Sequence, residues 1–370
     1  MTIMYIESFD HYNYNWMTTK LNSYASSTPA NFTISPLAAR TGPYGLRATA
    51  TSNTLDWIGS QWISGGSSLV YCGFALRINA RPSGSSVGNC IFGMNNYNGA
   101  YSNNSVRISC WLNNDGKINM NDGTSQVGTG TVALDVGKWY YIEVKAKAVT
   151  TTTCNAGDIT IRADDGTGPV TICAINANNS TSSAAVFYNI IFGRHNSGLG
   201  TSSWPNGPVF DIDDFYMLDG NNTPYNTYLG NCRVDCLFPT GVGASSQWTP
   251  LSAGSNYLQV NDPVPDGNTS YVYDSTAGHR DSYQMSDLPV SPTTIYAVQA
   301  HAFAMKDTSG TNNVACSIYT PSTYADGSNF AIGPTNYQTM RSLSHTNPAT
   351  GAVWDTAGVN SMEAGVKFVS

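Results

Sequence analysis

The residues with the most obvious chemical potential are three acids in one short run, Asp211-Ile-Asp-Asp-Phe-Tyr-Met-Leu-Asp219. Two carboxylates on one strand face could cleave a glycosidic bond, one attacking while the other donates a proton. Strand alternation puts Asp211, Asp213, Phe215 and Met217 on one face and Ile212, Asp214, Tyr216 and Leu218 on the other. No glutamate follows, and the bland alternative is that an Asp at a strand end accepts backbone N–H groups from a neighbouring loop. Oxygen ligands for a Ca2+ ion occur at Asp164-Asp165-Gly and Asp219-Gly-Asn-Asn, without a fixed ligand rhythm.

Histidine chemistry has less to offer. His11, His195, His279, His301 and His345 show no HxH, HxxxH or HExxH spacing, and no phosphate-cradling Gly-rich loop ending in Lys-Ser/Thr occurs. Aromatic residues are the stronger signal. Tyr12, Tyr14 and Trp16, then Trp57 and Trp62, then Tyr97 and Tyr101 lie among amides, a combination that suits sugar faces or a protein partner. Trp111, Trp139 and Trp354 sit in apolar runs and are expected in the core.

These residues need strands to position them. A chain of 370 residues exceeds what one core usually supports, so two domains are expected. Only 11% of residues are charged, against about 25% in typical chains. Gly, Asn, Ser, Thr and Tyr are abundant, as in β-sandwiches with long polar loops. Strand-like runs recur at 3–12, 46–50, 69–78, 90–94, 106–112, 131–134, 139–147, 158–163, 170–175, 186–193 and 209–218. In the run after Gly137, Tyr140, Ile142, Val144 and Ala146 should face inward, with Tyr141, Glu143, Lys145 and Lys147 toward solvent. About a dozen strands and almost no helix suit two packed antiparallel sheets. A Gly/Asn/Pro break after Asp219 separates this set from further strands at 270–273, 294–303, 314–319 and 365–369.

The net charge of −7 comes from scattered acids, with no run of Lys or Arg. A nucleic-acid partner is therefore not expected. No apolar stretch reaches the roughly 18 residues of a membrane span, and the opening residues have no signal-peptide pattern. The eight cysteines, Cys72, Cys90, Cys110, Cys154, Cys173, Cys232, Cys236 and Cys316, are read as reduced thiols, mostly buried as small apolar side chains.

Several segments together carry a resemblance: Glu7-Ser-Phe-Asp-His-Tyr, Arg40-Thr-Gly with Gly45-Leu-Arg47, Gly137-Lys-Trp-Tyr-Tyr-Ile-Glu-Val, Gly157-Asp-Ile-Thr-Ile with Asp165-Gly, and Ile212-Asp-Asp-Phe-Tyr. They resemble the concanavalin A/laminin-G jelly roll in the version found in tailed-bacteriophage virion proteins. Leu229-Gly-Asn-Cys-Arg-Val, Gln247-Trp-Thr-Pro, Asp266-Gly-Asn-Thr-Ser-Tyr-Val and Glu363-Ala-Gly-Val-Lys367 are similar to the domain that follows it there. The resemblance implies an all-β fold, with a jelly-roll β-sandwich at 1–219, a linker at 220–232 and a smaller β-rich virion-associated domain at 233–370.

It also implies a non-enzymatic structural protein of the particle, a capsid decoration, head fibre or tail-associated part, assembled in the host cytoplasm. The partners expected are other capsid or tail subunits, further copies of the chain, and host-surface glycans; no cofactor is expected beyond the Ca2+ candidate. Two alternatives stand beside this reading: a lectin-like adhesin, and a glycoside hydrolase on the same fold. The hydrolases of related jelly rolls carry two glutamates and an aspartate on one strand face, which Asp211 and Asp213 do not reproduce.

Overall fold

The computed structural model describes residues 3–23, 31–49, 56–60, 65–83, 89–95, 106–122, 125–148, 156–176, 186–194, 207–334 and 336–370. The chain forms two compact units, Met1–Val234 and Asp235–Ser370.

In the first unit the strands are β1 (Ile3–Glu7), β2 (Asn22–Ser23), β3 (Phe32–Ser35), β4 (Gly45–Thr49), β5 (Asp56–Gly59), β6 (Leu69–Ala80), β7 (Asn89–Asn95) and β8 (Val106–Leu112). They continue as β9 (Ile118–Asn121), β10 (Gln126–Gly128), β11 (Trp139–Lys147), β12 (Ile159–Asp164), β13 (Val170–Ala174), β14 (Asn189–Arg194) and β15 (Val209–Asp219). One short helix, α1 (Tyr14–Lys20), is capped by the Asn13 side chain.

The strands make two antiparallel sheets. The first runs β13-β12-β11-β6-β15-β4-β3 with β1 also on β15; the second runs β10-β9-β8-β7-β14-β5-β2. Because β6 crosses to β7 and β14 crosses back to β15, the layers interleave as a jelly-roll sandwich. Phe74 of the first sheet meets Phe92 and Phe192 of the second at 5.2 and 5.1 Å edge to face, and Phe192 meets Phe215 at 5.8 Å. Each such pair contributes roughly 0.5–1.5 kcal/mol beyond its buried area.

The outer face of the first sheet departs from the expected alternation. Tyr141 and Glu143 are buried rather than solvent-facing, at 2% exposure each. The reason is that 228–234 lies along this face. The Gly230 N–H donates to Glu143 Oε1 at 2.8 Å, the Leu229 N–H to the Tyr216 hydroxyl at 3.1 Å, and the Val234 N–H to Asp214 at 2.8 Å. Residues 220–232, expected as a linker, thus belong to the first unit. The 131–134 run is not a strand either: its N–H groups reach irregularly to Ile172 and Gly116.

The second unit contains β16 (Pro239–Ser246), β17 (Thr249–Pro250), β18 (Val272–Tyr273), β19 (Arg280–Met285), β20 (Val298–Ala304), β21 (Asn312–Thr320), β22 (Thr323–Asp326), β23 (Phe330–Ile332), β24 (Gln338–Ser344) and β25 (Glu363–Phe368), with a one-turn helix α2 (Thr356–Asn360). A six-stranded sheet runs β16-β19-β25-β21-β22 with β23 on β21, beside the ribbons β17-β18 and β20-β24. Val314, Cys316, Ile318, Met340, Trp354 and Val359 fill its core. On the opposite sheet face, Arg280 pairs with Asp326 and lies over the Tyr324 ring at 4.5 Å.

Candidate functional site

The acid run lies on β15, next to the long central strand β6, and its alternation changes phase halfway. A bulge between Asp213 and Tyr216, with Asp214 at φ +53, moves one residue out of register. Asp211 and Asp213 therefore share the outer face with Tyr216, whereas Phe215 and Met217 turn into the core, correcting the simple alternation. Phe215 packs on Phe192, and Met217 meets the Ser60 hydroxyl.

Every acid of the run is engaged. Asp211 is fully buried and accepts from Arg47 at 2.7 and 2.9 Å, from Arg77 at 3.0 and 2.7 Å and from the Asn79 amide at 2.7 Å. Asp213 accepts the Arg40 and Thr41 N–H groups at 2.7 and 3.0 Å. Asp214 accepts the Thr41 hydroxyl at 2.6 Å and the Arg40 guanidinium at 2.8 Å. Asp10 takes the Tyr44 N–H at 2.9 Å.

The 40–44 turn thus closes over three carboxylates, and Gly42 at φ +64 faces Asp10 so closely that a Cβ would strike its oxygens. Burial raises the Asp10 pKa to about 7. Burial also raises Asp213 and Asp214, and for Asp213 the neighbouring Asp214 charge adds to it. With its oxygens occupied by structural donors, this set binds a loop and offers no acid and nucleophile pair.

The aromatic candidates that fall among the described residues differ in exposure. Tyr12 is fully buried with the Lys20 ammonium 5.4 Å from its ring centre, and Trp57 is 4% exposed against Ile191. Neither presents a face to a ligand, because each flat side chain packs into the fold. Tyr14 and Trp16 lie half-buried on α1. Trp62, Tyr97 and Tyr101 lie outside the described residues, as do His195 and Cys154.

Of the tryptophans expected in the core, Trp354 is there. Trp111 is buried on the outer face of the second sheet, where its Nε1–H donates to Ser109 at 2.8 Å. Trp139 is half-buried on the outer face of the first sheet, under the Arg77 guanidinium at 4.7 Å.

The Ca2+ candidates are loop caps. Asp164 accepts the Gly166 and Gly168 N–H groups at 2.8 and 3.1 Å. Asp165 pairs with Lys138 at 2.6 Å, which holds it well below the usual carboxylate range. Burial works against the Asp219 charge, but hydrogen bonds from Ser67, Asn221 and Asn222 hold its pKa low. Among the described residues no three His, Cys, Asp or Glu side chains are placed to hold a metal.

His11 is half-buried beside Lys20, and desolvation of its ring pushes it down to about 3. His279 pairs with Asp274 at 2.9 Å. Cys72, Cys110, Cys173 and Cys316 are buried thiols without disulfides.

What the structure does assemble is a polar row on the outer face of the first sheet. Thr33 of β3, Arg47 of β4, Asp211 of β15, Arg77 of β6 and Trp139 of β11 stand side by side in register, with Asn79 next along β6. Sequence reading missed Arg47, Arg77, Asn79 and Trp139 as a group because they come from three strands far apart in the chain. The available signal was the polar residue at alternate positions of otherwise apolar strands, Arg47 after Leu46 and Arg77 between Leu76 and Ile78.

Among solved structures the chain is similar to a cellulose-induced protein, Cip1, at 12% identity and TM-score 0.38 over 60% of this chain and 95% of that one. It is similar to a PL-14 alginate lyase from Aplysia kurodai at 14% and 0.34 over 51% and 87%. It is also similar to lectin II from Ulex europaeus at 13% and 0.30 over 51% and 94%. No protein-family model and no curated sequence matches the chain.

Proposed function

We propose that this chain is a non-catalytic, glycan-contacting component exposed on a tailed-bacteriophage particle, present there in several copies and docked on capsid or tail subunits. One observation carries the binding half of this reading. On the open row of the first sheet the lone carboxylate, Asp211, is saturated with donors, while guanidinium, amide and indole groups stand at the surface beside it. Such groups recognise hydroxyls and ring faces and cannot perform the two-carboxylate cleavage of a glycosidic bond. The particle half rests on the sequence resemblance and on the symmetric repetition that a particle component requires.

The test is to incubate purified protein with host envelope polysaccharide, measure its retention on the polysaccharide, and assay new reducing ends and new unsaturated ends. Retention without new ends is the expected result. Chain cleavage that disappears in Asp213→Asn would overturn it, as would the failure of antibodies against the chain to decorate intact particles.

A further inference from the structure

The row around Asp211 carries more positive charge than its fold requires. Two guanidiniums share one buried carboxylate, although a single bidentate arginine already neutralises such a group. Arg47 and Arg77 each spend Nε and Nη2 on Asp211 and the Leu37 carbonyl, and neither Nη1 has a hydrogen bond among the described residues. Their side chains remain 23% and 20% exposed while Asp211 is fully buried.

The neighbouring charges leave the excess uncancelled. Arg40 is matched by Asp214, and burial holds Asp213 toward its neutral form. One uncompensated cation thus stands on an open sheet face of a chain whose net charge is −7.

We infer that the row Arg47, Arg77, Asn79 and Trp139 is a subsite for a carboxylate-bearing sugar unit of an acidic polysaccharide. This rests on the glycan reading above and names the class of glycan. A carboxylate is the acceptor that guanidinium N–H donors match best, through charge-assisted hydrogen bonds. The Asn79 side-chain oxygen, beside them, accepts from a sugar hydroxyl, and the Trp139 edge borders the same place. Asp211 here acts as a positioning residue: it holds the Nε and Nη2 edges of both arginines, leaving each Nη1 to a ligand anion that completes the charge balance.

The experiment is calorimetric titration of the full chain with tetragalacturonate, with neutral galactotetraose and with inorganic phosphate. Tetragalacturonate is expected to bind at least about tenfold more tightly than either of the others, and less tightly as salt is raised. The informative variant is Thr33→Glu. Thr33 is exposed and opposite Arg47 on the edge strand, so a carboxylate there occupies the arginine without disturbing Asp211. It is expected to lower tetragalacturonate affinity by about tenfold or more at unchanged thermal stability.

Equal affinity for the acidic and neutral oligomers, or binding untouched by Thr33→Glu, overturns the inference. So does phosphate binding as tight as the oligomer, which would mark a bare anion site. Binding of the neutral sugar alone defeats the inference and leaves the glycan reading standing; binding of no sugar defeats both.

Discussion

Asp211 shows how little a residue's type says before its neighbours are known. In the linear chain it heads an acid cluster; in the fold it is a buried anion held by Arg47, Arg77 and Asn79. Asp211→Asn would leave two guanidiniums side by side without a counter-ion. Breaking a buried pair from one side costs about 3–5 kcal/mol, so urea unfolding should show a loss of that size in the first unit.

Asp10 makes a pH prediction. Its carboxyl, raised to about 7, keeps a proton in the folded chain over a range where the unfolded chain has already released it. Its contribution to stability is therefore full at low pH and lost as pH rises from about 4 to about 7. Asp10→Asn keeps an acceptor for the Tyr44 N–H but cannot ionise, so it should gain stability relative to the parent across that window. Parallel pH profiles for the two proteins would refute the assignment. The acids were legible in the sequence; the donors that silence them lie up to 174 residues away along the chain and were not.

At the scale of elements, the decisive features are a bulge and a glycine. Perfect alternation along β15 would set Asp213 and Phe215 on one face, and the bulge at Asp214 instead lets the acid stay out while the phenylalanine enters the core. Across the sheet, Gly73 of β6 lies beneath the Tyr141 and Tyr216 rings, which stack with centroids 6.4 Å apart. A Cβ at Gly73 would overlap the Tyr216 ring and come within 2.8 Å of Tyr141. Both tyrosines are buried and have no room to move, so Gly73→Ala should destabilise the unit by about 1–3 kcal/mol in chemical denaturation.

The inward set Tyr140, Ile142, Val144 and Ala146 was readable from its period of two. Burial of the outward Tyr141 and Glu143 was not, because the segment that covers them arrives from beyond Asp219.

For the whole molecule, the consequence is a different domain boundary. The 228–234 segment supplies N–H groups to Tyr216, Glu143 and Asp214, and the Tyr228 ring meets Tyr71 at 4.9 Å and lies beneath Arg162. A fragment of residues 1–234 should therefore fold with the stability of the first unit in the full chain. A fragment ending at 219 should be markedly less stable, since buried Glu143 and Asp214 lose hydrogen-bond partners at about 1–3 kcal/mol each. Equal melting temperatures for the two fragments would contradict this. The second unit has its own core around Val314, Ile318, Met340 and Trp354. Calorimetry of the intact chain should accordingly resolve two unfolding transitions.

The sequence by itself determined the all-β class and the strand-rich character of both halves. Each of these depends on local periodicity or on residues close together along the chain. Only the tertiary structure decided which acids are saturated, which aromatics are buried, and that Arg47, Arg77, Asn79 and Trp139 form one surface. Those properties depend on strand order: β4, β15, β6 and β11 are neighbours in the sheet but far apart in the chain, and a single strand's alternation carries no information about which strand lies beside it.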